Sequence, residues 1–267
     1  MPKAPDPRAH LRALGWVRLP ADARSRAWSE AALPVARQVV NDPANAHWLR
    51  CEGTWFAGVN ILPNDAEGRV AGGPPLQGPA VDLIGALGLG DLALDRAQVS
   101  VVHPGYPRPR EGESAAAFRY RRDRDAAHVD GLLAVGPDKR RMAAETHGYI
   151  LGLPLTETGP GASPLAVWEG SHRIMAAAFR AALSGIPPGD WGGTDLTEVY
   201  HSARRRAFET CRRVLVHAPP GEACLVHRLA LHGVSPWLAG ASAPPEGRMI
   251  AYFRPAVGAE RWLAEDP

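Results

Sequence analysis

Cysteine is scarce in this chain of 267 residues: there are three, Cys51, Cys211 and Cys224, far apart and without CxxC spacing. An odd, scattered set of thiols excludes a disulfide framework and points to a reducing cytoplasm. A surplus of one charge is also missing. Thirty Lys and Arg stand against 28 Asp and Glu, a formal net charge of +2. No global field therefore exists to draw the chain onto nucleic acid or an anionic membrane, which excludes a histone-like or polybasic role. Lysine occurs only at 3 and 139; the remaining basic residues are arginine, an excess to which no function is assigned. No stretch approaches the run of about 18 uncharged apolar residues that a membrane span needs. The best, 81–90, is glycine-rich and interrupted by Asp82. The opening MPKAPDPRAHLRALG alternates proline and charge and offers no apolar signal-peptide segment. A soluble, cytoplasmic protein is expected. GxSxG and a reactive-cysteine context are absent too, which argues against a nucleophilic hydrolase. Internal repeats and low-complexity tracts are likewise not found.

What remains is an ordinary globular balance, 45% hydrophobic and 22% charged, which excludes wholesale disorder. The length favours one large domain, 1–267, able to build a core without disulfides. Residues 21–40 read as helical, with Pro34 predicting a break or a second start. TWFAGVNIL (54–62) reads as a strand and 63–78 as a Pro- and Gly-rich loop too long to be idle filler. Pro79 opens a short helix with Val81, Ile84 and Leu87 at helical spacing and Gly88 as its stop. From about 97 the pattern changes to short β-like runs: AQVSVVH, AAHVDGLLAV, ETHGYILGLPL, SPLAVW, CRRVLVHA, EACLVHRLALHG and RMIAYFR. Seven or eight strands predict a sandwich or barrel, interrupted by one helical insert at 171–183 and 195–210. In the second of these helices Asp195 and Glu198 have capping-box spacing, and Leu196, Val199, Tyr200, Ala203 and Ala207 form the inward stripe.

The segment Ala127-His128-Val129-Asp130-Gly131 carries the chemistry. In a strand, positions i and i+2 point the same way, so His128 and Asp130 reach one point in space. An imidazole and a carboxylate are two thirds of the 2-His-1-carboxylate facial triad of non-haem Fe(II) oxygenases, which leaves coordination positions free for substrates. A third ligand must come from a distant strand, and 221–233 offers His227 and His232.

A strand opened by Gly221-Glu222, an intermediate His227, then His232-Gly233, followed by Arg248 in RMIAYFR, resembles the phytanoyl-CoA dioxygenase-like branch of Fe(II)/2-oxoglutarate-dependent oxygenases. Gly170-Ser171-His172 in PLAVWEGSHR and the Pro-Gly of VSVVHPGYP are similar to that family as well. The resemblance spans roughly 97–255. It implies a mainly β fold with flanking helices, a double-stranded β-helix or cupin-like jelly roll. It further implies that His128, Asp130 and His232 bind Fe(II) and that Arg248 holds the distal carboxylate of the cosubstrate 2-oxoglutarate. The implied reaction with O2 oxidises a small molecule and releases succinate and CO2. Residues 1–96 would then be a helical, substrate-shaping region. Two departures are visible: Val234 stands where the family commonly has Ser or Thr, and LAGASAPPEG (238–247) lengthens the interval from His232 to Arg248.

The other candidates read more plainly. His227 is assigned to packing on the alternation argument. His172 is assigned to ordering its turn, and His103, His147, His201 and His217 to structural or exposed roles. Cys224 is read as a small core hydrophobe. The run Phe118–Asp125 could border the site and favour an anionic substrate, or be a self-neutralised surface segment. Trp55 and Phe56 could wall the pocket or belong to the core. A cupin-type isomerase or hydrolase that does not use 2-oxoglutarate, with Arg248 only a structural cation, and a non-enzymatic binding module are the competing readings.

Overall fold

The computed structural model describes residues 6–264; residues 1–5 of the proline-and-charge opening, Lys3 among them, and residues 265–267 lie outside this span. The chain starts with helix α1 (Pro7–Leu14) and strand β1 (Trp16–Leu19), neither anticipated from the sequence. The local signals are present nonetheless. Asp6 caps the helix by accepting from the Arg8 amide, Pro7 opens it, and Gly15 ends it in the left-handed region. Next come α2 (Ala23–Asn41), β2 (Leu49–Arg50), β3 (Trp55–Gly58) and α3 (Pro79–Ala86). The central part holds β4 (Gln98–Val102), α4 (Ala115–Asp123), β5 (Leu132–Val135), β6 (Arg140–Ala143), β7 (Tyr149–Pro154) and β8 (Leu165–Trp168). After these follow α5 (Ser171–Ala182), α6 (Thr197–Thr210), β9 (Arg213–Val216), β10 (Ala223–His227), β11 (His232–Val234), β12 (Arg248–Phe253) and α7 (Ala259–Leu263).

Pro34 does not break α2, contrary to expectation. Pro34 and Glu30, whose carbonyl loses its intrahelical partner, both lie on the exposed side, where solvent can reach that carbonyl. The strand expected over 54–62 is shorter, ending at Gly58. EACLVHRLALHG divides into two strands in different sheets instead of forming one.

Every strand pair is antiparallel. A seven-stranded sheet has the order β1-β10-β7-β12-β4-β3-β2 and a three-stranded sheet the order β11-β8-β9, with β5 and β6 a separate hairpin. An isolated bridge between His128 and His232 adds the HxD segment to the small sheet beside β11. From β4 onward the chain crosses repeatedly between the sheets: β4 large, HxD small, β7 large, β8 and β9 small, β10 large, β11 small, β12 large. The fold is a jelly roll.

Register decides what each face carries. Pairing Cys224 with Gly152, Tyr252 with Gly152 and Ile250 with Ser100 puts the even-numbered residues of β10, β7, β12 and β4 on one face. The odd-numbered residues, among them Leu151, Leu153, Leu225, Ala251, Phe253, Val99 and Val101, bury against Trp28, Ala32 and Ala36 of α2 and Ile84 of α3. On the far side of the small sheet, Ala166 and Trp168 pack with Met175 and Phe179 of α5 and Tyr200 of α6. The even face of the large sheet is thus left to look across at the small sheet.

Trp28 shows how the long loop 63–78 is held. It is 1% exposed, its ring centroid lies 5.6 Å from that of Phe253, and its indole N–H donates to the Gly68 carbonyl at 2.6 Å. Trp28→Ala is expected to cost about 3–5 kcal/mol, measured by chemical denaturation. A loss below about 1 kcal/mol would mean that this anchor is dispensable.

Candidate metal centre

His128 and His232 are brought side by side by backbone pairing. The His128 amide donates to the His232 carbonyl at 2.8 Å and the His232 amide returns to the His128 carbonyl at 3.0 Å. Their rings stand 4.7 Å apart between centroids. Two glycines make this approach possible. A Cβ on Gly233 would lie 2.2 Å from the Asp125 carbonyl oxygen, because the chain leading into the HxD segment passes directly over it. Gly131 adopts φ +89°, and a Cβ there would meet the Glu145 carbonyl at 2.6 Å. Ahead of the histidine, Asp125 and Ala126 both have positive φ (54° and 52°). Asp125 is fastened by a fork from Arg213, Nε to Oδ2 at 2.6 Å and Nη2 to Oδ1 at 2.7 Å. Alternation then does what the sequence predicts: Ala127 and Val129 turn into the core shared with α5 and α6, and His128 and Asp130 turn to the other side.

Each imidazole is oriented by the carbonyl two residues before it. His128 Nδ1 lies 3.0 Å from the Ala126 carbonyl and His232 Nδ1 lies 3.0 Å from the Ala230 carbonyl. With Nδ1 of each ring turned to a carbonyl, Nε2 is the atom each presents to the site, and both face Asp130 Oδ1, at 3.1 Å and 3.8 Å. One ligand atom from each of the three residues lies within 4.8 Å of the others, the geometry of a facial metal site. Asp130 and His232 are buried, whereas the His128 side chain is half exposed. Burial pushes His232 down to about 4, so its ring stays neutral and able to ligate. Burial acts against the Asp130 charge, but the His128 contact and the neighbouring cations hold its carboxyl well below the usual carboxylate range. Burial also opposes charge on His128, and there the Asp130 contact prevails and raises it.

These three side chains open onto a cavity of about 220 Å³ between the two sheets, walled mainly by Trp55, Ile150, Leu165, Val226, Val234 and Ile250. Arg248 enters it from the start of β12. It is 5% exposed, its Nη1 has no hydrogen-bond partner, and its Nη2 reaches only the Tyr252 hydroxyl at 3.5 Å. Among the described residues, no carboxylate pairs with it.

The remaining candidates sort as follows. Trp55 lines the cavity and Phe56, its neighbour on β3, belongs to the core. Cys224 is buried, and its side chain is part of the cavity wall. His217, read from the sequence as structural or exposed, lines the cavity, with Nε2 2.8 Å from the Thr158 carbonyl. His227 packs against His172 with ring centroids 4.8 Å apart and the rings tilted by 45°, and it does not line the cavity. It is removed by a change of sheet at 228–231, not by alternation along one strand. His172 Nε2 lies 3.2 Å from the Arg12 carbonyl. No residue of 118–125 reaches the cavity. Residues 118–123 of that run lie in α4, and four of its charged residues are ion-paired: Arg121 with Glu113, Arg122 with Asp123, and Asp125 with Arg213.

No family model matches the chain, and no curated protein does either. Solved structures do. One is the non-haem alpha-ketoglutarate-dependent carbocyclase SnoK from nogalamycin biosynthesis, 16% identical, covering 95% of this chain and 83% of its own, with a TM-score of 0.48. Another is EctD from S. alaskensis with bound Fe, 15% identical, covering 96% and 77%, with a TM-score of 0.46. A third is HygX from Streptomyces hygroscopicus with nickel, 2-oxoglutarate and hygromycin B, 12% identical, covering 95% and 86%, with a TM-score of 0.42.

One residue of the site was not anticipated at all. Arg254, just beyond β12, lines the cavity and directs Nη1 at Asp130 Oδ2 from 3.4 Å. The signal was in RMIAYFR: residues 248, 250, 252 and 254 share a face, so the second arginine of that run follows the first into the barrel.

Proposed function

We propose that the chain is an Fe(II)- and 2-oxoglutarate-dependent oxygenase acting on a small molecule. One observation carries this reading: the triad His128, Asp130 and His232 shares a cavity with a buried guanidinium, Arg248, that has no anionic partner among the described residues. The donor set fits the metal, because two imidazoles that present Nε2 and one ionised carboxylate are what Fe(II) takes in a facial site, and metal binding would displace the proton His128 shares with Asp130. The orphaned Nη1 fits the cosubstrate, because a buried cation without a partner is costly unless a ligand supplies one. Bound iron with 2-oxoglutarate would supply O2 activation: R–H, O2 and 2-oxoglutarate give R–OH, succinate and CO2. The chain's own residues bind and orient. Asp130 presents Oδ1 to the metal position while Arg254 engages Oδ2. Arg248 receives the distal carboxylate, and the apolar wall keeps water from the reacting face.

Val234 lines the cavity without a hydroxyl. Ser100 is diagonal to Arg248 across the β4–β12 pair and accepts from the Trp55 indole N–H at 3.2 Å, so its own proton is free to replace the missing donor. The cupin-type alternative needs Arg248 to be a structural cation, and a structural cation this deep would carry a carboxylate.

Anaerobic addition of Fe(II) and then 2-oxoglutarate tests the reading. A visible charge-transfer band is expected, and its absence from iron-loaded protein would move the assignment to the cupin-type enzyme. Product analysis tests a second point. Asp130 fills the position that a halide would need on the metal, so turnover in chloride should give an oxygenated product, and a chlorinated main product would contradict the ligand set.

A further inference from the structure

With the run 118–125 turned away from the cavity, the basis for expecting an anionic substrate passes to Arg254. Three observations bear on this side chain. It lines the cavity on the same face as Arg248, six residues further along the chain, and it directs Nη1 at Asp130 whereas Arg248 reaches the Tyr252 hydroxyl. Its only ion pair among the described residues is the long 3.4 Å contact to Asp130. Its Nε is buried without a hydrogen-bond partner. Asp95 is close, but its carboxylate takes the Arg254 main-chain N–H at 2.8 Å and does not pair with the guanidinium. Among the described residues, Asp130 is the one Asp or Glu that lines the cavity.

Formal charge then separates the two arginines. On the reading proposed above, two positive charges from the metal, one negative from Asp130, two negative from 2-oxoglutarate and one positive from Arg248 sum to zero. Arg254 is left over, beside the metal position, as one uncompensated positive charge. A guanidinium in that situation is a ready fork for a carboxylate or similar oxyanion.

We propose that Arg254 anchors an anionic group of the primary substrate next to the metal, so that the substrate is a small organic acid. The proposal rests on the iron and 2-oxoglutarate assignment. It is separated from that assignment by its test.

Anaerobic protein loaded with Fe(II) and 2-oxoglutarate is titrated with a panel of aliphatic, aromatic, hydroxy and amino acids, each paired with its methyl ester. Perturbation of the charge-transfer band reports binding, and succinate release in air reports coupled turnover. Acids are expected to bind at least about 10-fold more tightly than their esters. Because the guanidinium also touches Asp130, Arg254→Gln is titrated at iron saturation verified by metal analysis; it should then erase that preference while the titration with 2-oxoglutarate itself stays within about 3-fold, and Arg254→Lys should restore part of it. Esters binding as well as acids, or a panel in which no acid perturbs the band, overturns the proposal. So does a 10-fold weaker titration of 2-oxoglutarate in Arg254→Gln, because the guanidinium would then belong to the cosubstrate's metal-bound carboxylate. Failure of the wild-type band to form at all is a different result, and refutes the assignment on which the proposal stands.

Discussion

His232→Ala should leave a folded protein that no longer retains iron and no longer turns over. On the proposed assignment the imidazole is one of three ligands, and a hydrogen-bonding partner behind a ligand is already worth about 10- to 100-fold in metal affinity or activity. Loss of the ligand itself should therefore weaken iron binding by more than about 100-fold and remove measurable turnover. The fold should survive because β11 is held to β8 by main-chain pairing, with His232 opposite Val167 and Gly233 opposite Ala166, and the His128 bridge is main-chain too. Circular dichroism and thermal unfolding check that point, and metal analysis after gel filtration checks the other. His227→Ala is the control. Its ring packs on His172 and its Nδ1 accepts from the Leu229 amide at 3.0 Å, so its removal should disturb local packing and leave iron in place. If His227→Ala lost iron while His232→Ala kept it, the ligand assignment would be wrong.

The contrast between those two histidines also shows where a sequence stops being readable. The triad was legible because it depends on short-range rules: alternation carries His128 and Asp130 to one side, and His-Gly permits the close approach that Gly233 makes over Asp125. The helices α2, α3, α5 and α6 were legible from periodicity, and Tyr200, Ala203 and Ala207 are buried as the stripe required. The division of 222–233 was not, because nothing between Ala223 and His232 is a turn residue. The bend at 228–231 is imposed from outside. Arg228 Nε donates to the Trp262 carbonyl at 2.5 Å, the Leu231 amide donates to Ser171 Oγ at 2.8 Å, and the Ala230 amide closes on the His227 carbonyl at 2.8 Å. Two of those partners belong to α5 and α7, far along the chain. Ser171 of the Gly-Ser-His turn thus holds the residue next to His232, a use of that motif that spacing could not disclose.

The second large effect expected is on 2-oxoglutarate. Arg248 is placed by β12, opposite Val102 of β4, and the preceding Gly247 has φ +80°. A Cβ at Gly247 would lie 2.6 Å from the Val102 carbonyl, so glycine is what lets the chain turn in from the external 238–247 loop. That loop is tied outside the barrel, by Leu238 N to the Gly161 carbonyl at 2.9 Å and by Glu246 to Arg37, and its extra length leaves the position of Arg248 untouched. Truncating one member of a buried, hydrogen-bonded charge pair costs about 2–5 kcal/mol, which corresponds to roughly 30-fold to several thousand-fold in affinity. Arg248→Ala should weaken 2-oxoglutarate by that range in an anaerobic titration and leave iron binding nearly unchanged. Arg248→Lys should recover only part, since an ammonium cannot make two parallel hydrogen bonds to a carboxylate. A purely structural Arg248 predicts a different pattern. Its Nη1 has no partner to lose, so truncation would change cosubstrate binding by less than about 1 kcal/mol and the fold no more. Arg248→Ala binding 2-oxoglutarate as tightly as the parent would therefore decide for the cupin-type enzyme.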